Sequence, residues 1–179
     1  PEHLEEYQYW LGLKERKIYF NDEVDLSIIN KIVYWILQWN EEDKGKPQHE
    51  RQPIEIFITT NGGCVISGLA LVDAIENSKT KIITTGIGIC ASMGAILLLS
   101  GHERRAFKNT TILLHDGSLA LQSTSKKAKQ TIQYYDKLDD RIKDLVVSKT
   151  NISEELYDEK EDEEWYLFAD EAKELSLID

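Results

Sequence analysis

Ser92 lies in Ala91-Ser92-Met93-Gly94, after a short apolar stretch at 82–85 with a glycine-spaced turn and before an unbroken apolar run at 95–99. That order predicts a strand, a turn and a buried helix, with Ser92 on the helix's first turn. Unpaired backbone N–H groups point outward there and the helix dipole favours negative charge, so a hydroxyl at this turn has a stabilised oxyanion beside it. Serine is also a preferred capping residue, and this stretch taken alone favours capping. Two other features supply what a nucleophilic hydroxyl needs: the glycine turn Asn61-Gly62-Gly63, and His115, where an apolar strand enters Asp116-Gly117-Ser118. Acyl transfer by serine requires a base for the hydroxyl proton, N–H groups for the oxyanion, and a carboxylate that fixes the imidazole tautomer. Gly63, lacking a side chain, can bring its N–H close to a carbonyl, and Met93 offers the N–H that follows the nucleophile.

Taken singly, these signals are ordinary. A glycine pair is usually just a turn, and a histidine after a strand is more often a hydrogen-bonded surface residue. His3, His49 and His102 stand in polar stretches and read as solvated. Cys64 reads as a small buried hydrophobe rather than a nucleophile.

The elements that must position these groups follow from periodicity. Lys17–Phe20 is a first strand, closed by Asn21-Asp22. Leu26, Ile29, Ile32, Val33, Ile36 and Leu37 give an amphipathic helix ending near Trp39, and the charged segment 40–53, with Pro47 and Pro53, reads as an exposed loop. The strand at 54–58 leads through the glycine turn into a helix with Val65, Ile66, Leu69, Val72, Ala74 and Ile75 on its buried stripe, and the strand at 81–85 repeats the plan into the Ser92 helix. Two consecutive strand-turn-helix units predict a parallel sheet with helices on its faces and a ligand crevice at the carboxyl ends of the strands.

Further on, 102–105 reads as a polar turn and Thr111–Leu114 as a strand. Ser125–Lys149 reads as one helix of about 37 Å at 1.5 Å per residue. Such a helix exceeds what a domain of this size usually needs, so it either lies along its own core or projects onto another subunit. Ser153 opens a short capped helix, the acidic run 158–164 reads as solvated surface, and a strand at Trp165–Phe168 precedes a last helix at 169–175. Residues 1–12 read as an arm.

The 179 residues fit a single domain spanning 1–179 that needs no disulfide or metal staple. A formal charge of −11 argues against nucleic acid and anionic membrane as partners. Cys64 and Cys90 lack CxxC spacing, which points away from zinc and disulfides toward reduced cytoplasmic thiols. No apolar run approaches a membrane span and no basic-then-apolar leader opens the chain. Met93 is the only methionine, so Pro1 is not a translation start. No metal or cofactor is called for, and without GxxxxGK[ST] the chain cannot itself use ATP.

From about residue 11 to 179 the chain resembles the ClpP family, the serine-peptidase subunit of Clp protease. The resemblance is carried by Leu13-Lys14-Glu15-Arg16, Asn61-Gly62-Gly63, Ser67-Gly68-Leu69-Ala70, Ala91-Ser92-Met93-Gly94-Ala95, the strand ending in His115, and Ala169-Asp170-Glu171-Ala172 through Leu177-Ile178-Asp179. It implies an α/β fold of the ClpP and crotonase type, with a projecting handle helix at 125–149. It also implies Ser92 as nucleophile, His115 as general base, and the Gly63 and Met93 amides as oxyanion hole. The family's triad aspartate falls at Glu164, whose extra methylene displaces the carboxylate by about 1 Å, a shift that can cost about 100-fold in rate. Asp162 is the alternative acid, and Asn61 stands where the family usually has proline. The resemblance further implies a cytoplasmic tetradecamer of two stacked heptameric rings, in which unfolded polypeptide fed by a separate AAA+ unfoldase is cut. A catalytically impaired ring subunit and a crotonase-like acyl-CoA enzyme are the alternatives. A Ser-Lys dyad is set aside, because no lysine stands in a stretch expected to line the crevice.

Overall fold

The computed structural model describes residues 3–117 and 122–179. Its centre is a sheet in the order β1-β2-β3-β5-β6, with β4 also paired to β3. The strands are β1 (Lys17–Phe20), β2 (Ile54–Thr60), β3 (Ile82–Ala91), β4 (Glu103–Ala106), β5 (Thr111–Leu114) and β6 (Trp165–Phe168). All pairings are parallel except β5 with β6. The predicted mostly parallel α/β architecture is therefore the observed one.

Alternation along β2 shows how the sheet is buried. Ile54, Ile56, Ile58 and Thr60 face the core, while Glu55, Phe57 and Thr59 are half-buried on the other face. On that outer face Tyr19 of β1 stacks on Phe57, with ring centroids 4.7 Å apart. The inner face packs against α3 (Val65–Asn77) and α4 (Met93–Ser100), and every residue of α4 is buried. A helix apolar on all sides is stable only when enclosed, which is why the run at 95–99 shows no amphipathic period.

Several sequence expectations are corrected. Residues 86–91 continue β3 rather than forming a turn. Gly88, at φ +69°, lets the strand bend instead of ending it, and the register against β2 shifts between Ile58 and Thr60. Below the bend β3 pairs with β4 from Ile83 to Gly86; above it, with β5 from Ile89 to Ala91.

The supposed polar turn at 102–105 overlaps β4, a strand without β-branched residues held by backbone pairing and the Lys81–Glu103 ion pair. His102 is exposed, as expected, and its Nδ1 accepts the Ile82 N–H at 2.9 Å. Residues expected to form an arm are helical over α1 (Leu4–Lys14), and Tyr7, Trp10 and Leu11 on it are exposed.

The second helical segment winds as a π-helical turn at Ile29–Val33 before α2 (Tyr34–Glu42). Its buried stripe is Ile28, Ile32, Ile36 and Trp39; Leu26 and Leu37, predicted to face inward, are exposed. α2 continues through Glu42, past the end expected near Trp39, and the loop after it is anchored by Asp43, which is fully buried and receives hydrogen bonds from Arg16 (3.0 Å), Lys46 (2.9 Å) and Thr80 (2.8 Å).

α5 spans Ser125–Lys149 as predicted. Only Leu138 and Val146 on it are buried, both in its second half, so residues 125–137 extend away from the core. α6 (Glu154–Lys160) is capped by Ser153, whose hydroxyl accepts the Leu156 N–H, and α7 (Ala169–Glu174) closes the fold after β6.

Candidate active site

Ser92 occupies the junction between β3 and α4 with φ 54° and ψ −124°. L-residues avoid this region, so the packing around the serine must over-determine it. Its N–H donates to the Leu113 carbonyl of β5 at 2.9 Å, and its own carbonyl accepts the Ala95 N–H at 2.9 Å. Although Ser92 stands at the N-cap position, its hydroxyl makes no capping hydrogen bond. The side chain is half-buried and opens on a cleft of about 310 Å³ that His115 also lines.

The glycine turn rests directly on this elbow. A Cβ on Gly62 (φ +99°) would lie 2.8 Å from both the Ala91 carbonyl oxygen and the Ser92 Cβ, and 3.1 Å from the Met93 nitrogen. Gly63 is pinned from the other side: the Val24 N–H donates to the Gly62 carbonyl at 2.9 Å, and the Cys64 N–H to the Val24 carbonyl at 2.7 Å. In extended chain the intervening Gly63 N–H faces the opposite way. Among the described residues neither the Gly63 nor the Met93 N–H has a protein acceptor. The turn itself lines a separate depression with Thr59, Thr60 and Asn61.

His115 and Glu164 are brought together by the antiparallel ladder. Leu114 pairs with Trp165, so the next residues outward on the two strands face one another. His115 Nδ1 lies 2.8 Å from Glu164 Oε1. The Tyr166 hydroxyl donates to Glu164 Oε2 at 3.3 Å. The histidine bond, and secondarily the tyrosine, hold the Glu164 carboxyl below the usual glutamate range. The extra methylene thus does not keep this carboxylate from the imidazole. Asp162 lies in the turn after α6 and, among the described residues, makes no hydrogen bond or ion pair with His115. Among the described residues, no hydrogen bond links the Ser92 hydroxyl to His115.

Two neighbouring expectations are overturned. Cys64 is exposed rather than buried, because it precedes α3 at the surface, and Ser67 together with α3's first amides lowers its thiol pKa. The other thiol, Cys90, is buried and pushed up to about 12. Lysines do line the cleft: Lys143 from α5 and Lys160 from α6. Neither is a free base, since Lys143 Nζ pairs with Asp158 and Lys160 Nζ with Glu163. Tyr166 and the α5 wall of the cleft, Asp139, Ile142 and Lys143, were missed. The wall's i, i+3, i+4 spacing places those three on one helix face, a signal that becomes readable once the helix is known to border the cleft.

Comparison with known proteins agrees with this architecture. The Clp protease family model matches residues 3–179, and the chain belongs to that family. It is 32% identical over 185 residues to the ATP-dependent Clp protease proteolytic subunit 2 of Prochlorococcus marinus (strain MIT 9312), covering 97% of this chain and 87% of that one. It is 33% identical over 171 residues to the ATP-dependent Clp protease proteolytic subunit 3 of Parasynechococcus marenigrum (strain WH8102), covering 92% and 81%. Membership supports a serine peptidase, and the crotonase-like alternative is not favoured. No helix of the described residues is long and apolar enough to cross a membrane.

Proposed function

We propose that the chain is a serine endopeptidase in which Ser92 is the nucleophile, His115 the general base and Glu164 the orienting acid. The observation that carries this reading is the 2.8 Å bond between His115 Nδ1 and Glu164, beside a cleft that His115 shares with a serine in a strained elbow. Ser92 Oγ attacks the peptide carbonyl while its proton passes to His115 Nε2. Glu164 accepts the Nδ1–H throughout, which fixes the tautomer and stabilises the imidazolium. The Gly63 and Met93 N–H groups bind the tetrahedral oxyanion. Collapse expels the amine, which takes the proton from Nε2, and water then repeats the sequence on the acyl-enzyme. The Ser92–His115 bond forms as substrate enters, since such bonds are often loose in unliganded sites and tighten in the complex.

The same reading takes 1–179 as one peptidase domain in a cytoplasmic assembly of two stacked heptameric rings, with α5 joining the rings. Support comes from the unburied first half of α5. The relatives' names describe an ATP-dependent protease, and this chain lacks a phosphate loop. A separate AAA+ unfoldase therefore delivers unfolded polypeptide.

Fluorophosphonate labelling combined with native mass tests the reading. Stoichiometric adduct on Ser92 in an assembly of fourteen-subunit mass is expected. An intact assembly that neither labels nor cleaves peptides would instead identify a catalytically impaired ring subunit.

A further inference from the structure

The cleft beside Ser92 has two kinds of wall. Val65, Met93, Ile96 and Trp165 supply an apolar base next to the serine and histidine. The rest of the lining is largely charged, and most of that charge is negative. Lys143 is matched by Asp158, and Lys160 turns to Glu163. That leaves Asp116, Asp139, Asp140 and Glu161 lining the cleft with no cationic partner among the described residues. They come from three segments: the end of β5, one face of α5, and the end of α6. The Asp116 N–H donates to the Glu161 carbonyl at 3.0 Å and ties two of these segments together.

The carboxylates act on common neighbours. Burial raises the Asp139 pKa, with further push from Asp116, Asp136, Asp140 and Glu161. The Tyr157 hydroxyl, also in the cleft, is pushed up to about 12 by burial and by Glu161, Asp139, Asp116 and Asp158. A cavity with low-dielectric walls and one sign of charge concentrates its field on whatever enters.

We propose that this cleft selects a basic side chain, lysine or arginine, at the substrate residue next to the scissile bond. The aliphatic stem lies on Val65, Met93 and Ile96, and the cationic head reaches Asp139, Asp140 and Glu161. Long basic side chains place apolar stem and charged head in this way. The proposal rests on the peptidase reading and adds a substrate class to it. An acidic side chain in the same place faces repulsion and is rejected.

The test uses two peptide substrates, and two diphenyl phosphonate probes, that differ only in carrying arginine or leucine at that residue. The expected result is about tenfold higher kcat/KM and labelling rate for arginine at low salt, narrowing as ionic strength rises. Asp139→Asn with Asp140→Asn, both on the exposed side of α5, is expected to remove most of the preference by raising KM for arginine alone. Leucine turnover serves as the control for folding and assembly. Labelling of Ser92 with leucine preferred, or a preference unchanged in the double variant, overturns this inference and leaves the peptidase reading standing. No labelling by either probe and no cleavage overturns both.

Discussion

The acid at position 164 is one methylene longer than the aspartate of the family pattern, yet its oxygen stands 2.8 Å from the imidazole nitrogen. What admits the longer side chain is the end of the β5–β6 ladder, where Glu164 is exposed and has room to fold back. Glu164→Gln is expected to lower kcat/KM by about 100-fold or more in peptide hydrolysis, since an amide cannot hold the tautomer as a carboxylate does. Asp162→Asn should change it by less than about twofold; the reverse ranking would move the orienting role to Asp162. Ser92 has a separate signature in its backbone. With φ 54° a Cβ is unfavourable there, so Ser92→Gly should unfold at higher denaturant than Ser92→Ala, by about 1 kcal/mol. Both variants should be inactive, which separates strain at the elbow from chemistry at the hydroxyl.

At the scale of elements, the buried Arg16–Asp43–Thr80 cluster fastens the 40–53 loop to the start of β1. Arg16, and then Lys46 and Thr80, hold the Asp43 carboxyl well below the usual carboxylate range. A depressed folded-state pKa contributes stability above the unfolded-state value, near 4, that is lost as pH falls through the lower folded value. Asp43→Asn is therefore expected to destabilise by about 3 kcal/mol in denaturant titrations, because it leaves the buried Arg16 charge with only the part-exposed Glu42 carboxylate and the Gln52 carbonyl. The deficit should be constant from pH 8 to about 5 and shrink only in strong acid.

This cluster also marks where sequence patterning stops. Elements with a strong apolar signal, Lys17–Phe20, Thr111–Leu114, Ser125–Lys149 and Trp165–Phe168, were legible from residue types and spacing. β4 was not, because Glu103-Arg104-Arg105-Ala106 is a strand only through its neighbour β3. The glycines of β3 read as a turn because local chemistry cannot tell a stop from a bend inside a paired strand. At the site, His115 was singled out by its place at a strand's end and Glu164 by resemblance, but their contact follows from ladder register, which no local pattern encodes. The acidic run at 158–164 read as ordinary solvated surface until the fold set Asp158 and Glu161 in the cleft that Ser92 lines.

At the scale of the whole molecule, α5 is an element that its own core accounts for only in part. The first half of α5 carries Ile132 and Tyr134, both exposed, on a segment with no buried residue. If α5 joins rings as proposed, Ile132→Asp should halve the native mass and leave the secondary structure seen by circular dichroism unchanged. An unaltered mass would remove α5 from the ring contact.

The bend in β3 has an effect of its own. Since that strand exchanges β4 for β5 at Gly88, the sheet behaves as two leaves sewn to a shared spine. The lower leaf, with β4, joins the upper one, where Leu113 grips Ser92 and Glu164 meets His115, through β3 and through β2, which pairs with β3 on both sides of the bend. The free edge of β4 is hemmed by the chain's own end, since Arg104 bonds to Asp179 and reaches the Lys149 and Ser176 carbonyls.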